Sequence, residues 1–138
     1  MNSDATAMMI DLKAPILPGR GAAGVLIGAE ISRVLPESSA FRIDHRQDGI
    51  EVYRSDSVDL WTKNLIIFQI GVHGQYEGKL LGSFGLGSGL RELQDRVGPV
   101  ELDDEDNLVL KGVPGLSFEI DPDAELSPIT EFYVYRVP

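Results

Sequence analysis

The chain has 138 residues, of which 43% are hydrophobic and 25% charged, with a formal net charge of −10 and no cysteine. That length fits one domain, 1–138, with a core of its own, and the composition is ordinary for a globular protein. The missing cysteines exclude a disulfide framework, thiolate metal ligation and thiol catalysis, and no stretch approaches the ~20 apolar residues of a membrane span.

The opening MNSDATAMMIDLK has no basic stretch and only a short apolar run, so it does not read as a signal peptide and a cytoplasmic location is expected. Residues 1–9 read as disordered, and Lys13 to Gly24, with two prolines and three glycines, as loop. Ile27, Ile31 and Val34, four and three apart, predict a helix over 28–35 that Gly28 opens and Pro36 ends. FRIDHR (41–46) and IEVYR (50–54) alternate in type around Gln47-Asp48-Gly49, a hairpin signal. SVDLW (57–61) and LIIFQIGV (65–72) form a second pair around Thr62-Lys63-Asn64, the latter apolar enough to be the most buried strand.

The clearest local pattern follows in GLGSGLRELQDRVGP (85–99). Leu86, Leu90, Leu93 and Val97 fall on one helical face, with Arg91, Glu92, Gln94 and Asp95 opposite. Ser88 is the expected N-cap, Gly98 the left-handed C′ residue and Pro99 the stop, giving a helix over 88–97. Then come PVEL (99–102), an acidic turn Asp103 to Asp106, NLVLK (107–111), GLSFEI (115–120) and ITEFYVYRV (129–137). Leu90, Leu93, Val97, Ile67, Phe68, Ile70, Phe118 and Phe132 are the candidate core.

The second half repeats the first in outline. Ile27, Gly28, Ile31 and Val34 align with Leu86, Gly87, Leu90 and Leu93, and Ile67, Ile70 and Val72 align with Ile129, Phe132 and Val134. Two pseudo-repeats, about 24–72 and 83–137, each read helix, hairpin, hairpin. The expected fold class is α+β: a curved antiparallel sheet of about eight strands with two helices on one face, built by an α-β4 duplication.

No catalytic constellation emerges. The glycine-rich GSFGLGSG (82–89) lacks both the Lys-Ser/Thr of a P-loop and the G-x-G-x-x-G spacing. An EF-hand begun at Asp104 would need Gly and Glu where Val109 and Gly115 stand. His45 and His73 show no metal-binding spacing and read as packing or solvent-facing residues, and Ser83 and Ser88 lack a nucleophile-elbow context. No cofactor, metal or catalytic residue is assigned.

Charge points to a partner instead. Between Glu101 and Glu131 ten acidic residues face one base, Lys111. Such a surface disfavours nucleic acid and anionic membranes and favours a basic protein. The expected contact residues are Glu101, Asp103, Asp104, Glu105 and Asp106, supported by Trp61 and Tyr53 as aromatic anchors on the wet sheet face.

Over roughly 58–138, YEGKLLG (76–82), the Val-Gly-Pro-terminated helix, the acid run and SPITEFYVY make the chain resemble small immunity proteins encoded beside bacterial polymorphic toxins of the contact-dependent or Rhs type. The resemblance implies a cytoplasmic protein that performs no chemistry and neutralises a cognate toxin domain, such as a basic nuclease, by occluding its active site. The alternative is a small-ligand or regulatory binding module. The doubled helix-and-meander outline is also similar in architecture to proteinaceous inhibitors of β-lactamase.

Overall fold

A computed structural model describes residues 8–34 and 41–137. Its strands are β1 (Gly21–Ala22), β2 (Val25–Leu26), β3 (Arg42–His45), β4 (Ile50–Arg54), β5 (Val58–Lys63), β6 (Ile66–Val72), β7 (Val100–Leu102), β8 (Leu108–Leu110), β9 (Leu116–Ile120) and β10 (Ile129–Tyr135), with one α-helix, α1 (Leu90–Arg96), before β7. β3 to β10 form one eight-stranded sheet in the order β3-β4-β5-β6-β10-β9-β8-β7. Every pairing in it is antiparallel. Two four-stranded meanders therefore meet through their last strands, β6 and β10, which become the centre of the sheet.

Alternation along the central strands assigns the faces. Leu60, Ile70, Val72, Leu116, Phe118, Phe132 and Val134 point to the inner face, where they pack with Ile31, Val34 and Leu93 in one buried cluster. Both helical segments thus cover the same face. Phe118 and Phe132, opposite each other on β9 and β10, bring their rings to 6.4 Å in that layer. The N-terminal segment joins the core through Tyr76, whose hydroxyl donates to Ala14 O and accepts from Ala23 N–H at 3.0 Å.

Three expectations change. The segment over 28–35 is a 3₁₀ turn, Ile31–Arg33, and not a helix of two turns. Gly28, at φ 93°, donates its N–H to Ile67 O at 2.8 Å, and Ala29 O accepts from Ile67 N–H at 2.9 Å. That backbone extends the edge of β6, which leaves too few residues for a helix nucleus. The expected end at Pro36 lies outside the described residues. Residues 13–24 are more than loop, since β1 and β2 make a small hairpin through Ala23 and Gly24, both at positive φ. In the anticipated disordered stretch, Met8 N–H donates to Arg33 O at 2.8 Å, while residues 1–7 lie outside the described set.

The second helix is confirmed but shorter than 88–97. Its N-cap is Gly89, without a side-chain bond, because Ser88 Oγ instead accepts from Gly85 N–H at 3.0 Å. Gly98 follows the C-cap Val97 at φ 150°, a positive value that favours glycine, as expected for the residue ending the helix. Leu93 is fully buried, whereas Leu90 and Val97 are partly buried against the core. Phe68 is 37% exposed and leaves the core list. It is the extra residue of a β-bulge, since Trp61 pairs with Gln69 and Thr62 with Ile67. β10 carries a bulge of the same kind, with Glu119 opposite Glu131 and Ile120 opposite Ile129, which leaves Thr130 as the extra residue.

Candidate functional site

The outer face of the sheet, opposite α1, holds the residues with chemistry. Trp61 projects from β5 and Tyr133 from β10, and their rings meet edge to face at 5.9 Å. Between them lies Gly71 on β6, where an added Cβ would stand 3.0 Å from Trp61 Cζ3 and 3.0 Å from Glu131 Oε2. The missing side chain is what lets the two rings close over the central strand. The other side of Trp61 is covered by Arg54, with its guanidinium 5.7 Å from the ring centroid.

Arg54 is in turn anchored by carboxylates: Nη1 donates to Asp59 Oδ2 at 3.3 Å, and Nε lies 3.7 Å from Asp44 Oδ2. Tyr133 donates its hydroxyl to Glu119 Oε2 at 2.9 Å. Burial and this bond to a carboxylate push the Tyr133 phenol well above the usual range. Tyr135 is also pushed up, first by burial and then by the negative charge of Asp103.

The acidic turn folds over the same face. Asp103 organises it: its Oδ1 accepts from the N–H groups of Glu105 and Asn107, both at 2.9 Å. The backbone closes with Asp103 N–H donating to Asn107 O at 2.9 Å, and Asp106 takes φ 64°. Donation from the Asn107 N–H first, and from Glu105, holds the Asp103 carboxyl below the usual aspartate range. An open hollow of about 650 Å³ results, walled by Asp103, Asp104 and Glu105 on one side and by Trp61, Tyr133 and Tyr135 on the other.

The structure thus brings Trp61 together with Asp103, Asp104 and Glu105. It does not bring the remaining expected residues there. Glu101 lines an adjoining depression with Val109 and Lys111, which shares Asp103 and Tyr135 with the hollow, and Asp106 faces another beside Leu108 and Phe118. Tyr53 requires a correction, because it pairs with Leu60 on the inner face, is only 4% exposed and bonds to Glu51 Oε1 at 3.3 Å. Its neighbour Val52 takes the outer position opposite Trp61. Tyr133 and Tyr135 also line the hollow: their alternation with Phe132 and Val134 already requires one pair to point away from the core, but it does not by itself assign them to a site.

No family profile and no curated protein sequence matches the chain. Among solved structures, a cysteine-rich secretory protein from Staphylococcus aureus subsp. aureus Mu50 shares the fold, with a TM-score of 0.57 at 14% identity over 94% of this chain. The chain spans 50% of that structure's length, so the likeness concerns about half of the neighbour and the fold alone. Among the described residues no helix is long and apolar enough to cross a membrane.

Proposed function

We propose that this chain is a non-catalytic binding protein whose outer sheet face takes a basic segment of a partner protein, and that the partner is a bacterial toxin neutralised in the cytoplasm. The observation that carries the reading is the single hollow in which three acidic residues of the β7–β8 turn face Trp61, Tyr133 and Tyr135. Flanking acids attract a basic surface from a distance and orient it, whereas partly desolvated aromatic rings supply affinity on contact. A phosphate-binding groove of a nuclease-type toxin has the complementary charge. The toxin assignment itself rests on the resemblance to immunity proteins.

The curved sheet that presents this face is, in our reading, the product of an internal duplication with a pseudo-twofold axis between β6 and β10. Three features support it. The sheet order runs outward through each meander from the same central pair, and both central strands carry a bulge, at Phe68 and Thr130. Gly87 N–H donates to Ile129 O at 2.8 Å, the counterpart of the Gly28–Ile67 bond. The 3₁₀ turn is then the shortened equivalent of α1.

Co-expression with any toxin-like C-terminal domain encoded beside its gene tests the function. Protection by the wild-type chain, lost in Trp61→Ala, is expected. Absence of protection, or of any such neighbouring domain, rejects the toxin assignment. A small-ligand module is the second reading, favoured by a hollow of about 650 Å³ with aromatic walls, a size that small molecules fill.

A further inference from the structure

Beyond the Trp61–Tyr133 pair, Asp59, His73 and Glu131 converge on the same outer face. They come from β5, from the residue following β6, and from β10, three strands that lie side by side. Each offers one donor atom, and these atoms all lie within 4.8 Å of one another. Asp59 is held firmly. Its side chain is only 9% exposed, Arg54 bonds its Oδ2, and Ser55 N–H donates to its Oδ1 at 3.2 Å.

His73 is the informative member. Its Nε2 is out of contact with solvent and makes no hydrogen bond. It lies 3.3 Å from Asp59 Oδ1 but out of line for a hydrogen bond between them. Buried polar nitrogens nearly always have a partner, so this one calls for an explanation. Two donors each ~2.1 Å from a tetrahedral ion are about 3.4 Å apart, close to the 3.3 Å between His73 Nε2 and Asp59 Oδ1.

We propose that Asp59, His73 and Glu131 form a binding site for a divalent first-row transition metal ion such as Zn²⁺. One imidazole nitrogen with two carboxylates suits Zn²⁺, Mn²⁺ or Fe²⁺ and gives Mg²⁺ or Ca²⁺, which prefer oxygen donors alone, no advantage. Arg54 does not block the position, because it occupies Asp59 Oδ2 while Oδ1 faces His73. Gly71 provides the space that Glu131 needs to lean across β6. The site is independent of the toxin reading.

Calorimetric titration of the full chain with Zn²⁺ tests the assignment, with imidazole ¹⁵N NMR of the same sample. We expect one saturable site, a ligation shift at His73 Nε2, and no displacement of Zn²⁺ by equimolar Mg²⁺. Glu131→Gln and His73→Gln should each weaken binding at least about 10-fold, the size of effect produced even by loss of a group that merely supports a ligand. His45→Gln, which removes the 72% exposed histidine of the 2.7 Å His45–Glu51 pair, should leave affinity unchanged. The NMR shift is read on the wild-type chain and needs no variant to fold. The proposal is overturned by no binding, by multiple weak sites indifferent to Glu131→Gln, by equal competition from Mg²⁺, or by loss of binding in His45→Gln alone.

Discussion

Trp61 and Tyr133 sit two strands apart and touch across Gly71, edge to face at 5.9 Å. This contact joins the two meanders on the outer face as β6 and β10 join them in the backbone, and it sets the floor against which the acidic turn closes.

Adding a methyl group at Gly71 should break that contact. Gly71→Ala places Cβ 3.0 Å from Trp61 Cζ3, so the indole must shift. A destabilisation of about 1–3 kcal/mol, typical of overpacking, is expected. Trp61 is the sole tryptophan, so its fluorescence reports the displacement directly. Unchanged emission and stability would show that the ring is not held against β6.

Leu93 of α1 is fully buried in the inner cluster. Truncation by Leu93→Ala should cost ~2–5 kcal/mol, from lost transfer energy and the cavity left behind. Denaturant unfolding measures it. A loss under about 1 kcal/mol, the range of surface changes, would place α1 off the sheet.

Asp103 titrates below the usual aspartate range because its ionised form accepts backbone N–H groups, that of Asn107 foremost. A lowered folded-state value means that the contribution of Asp103 to turn order is present above the unfolded aspartate value. It is lost as pH falls through the lower, folded value. Carboxyl NMR titration should give a depressed midpoint for Asp103, and Asp103→Ala should loosen the Glu105 and Asn107 amides to hydrogen exchange. A midpoint at the ordinary value contradicts the capping role.

The strands were legible as alternating or apolar runs between turn signals, and IEVYR (50–54) matches β4 end for end. The faces were less so. Tyr53 is expected on the wet face, yet the outer face has its own apolar cover in Trp61, and it is Val52 that is fully buried there. An apolar residue therefore does not distinguish the inner face from a covered outer one. The 3₁₀ turn failed as a helix because spacing records which side chains are buried, not which backbone groups a neighbouring strand has already claimed. The Asp59–His73–Glu131 cluster had no local signature at all. Its members meet only through the β5-β6-β10 strand order, a long-range fact that no sequence window contains.

The two components of the hollow should separate kinetically. Trp61→Ala removes a contact made after docking, so it should mainly speed dissociation of the partner complex and leave the association rate within about threefold, since variants of one interface differ chiefly in dissociation. A selective loss of association would assign Trp61 to encounter and not to anchoring.

The most direct test of the acidic-aromatic hollow is the association rate of the proposed toxin partner with wild-type chain and with Asp104→Lys/Glu105→Lys, each at low and high ionic strength. Circular dichroism confirms that the fold is intact. We predict slower association for the reversed variant and a flatter dependence on salt, because the attraction being screened has been removed. Equal rates and equal salt slopes for the two proteins would contradict the account and place the partner on another surface.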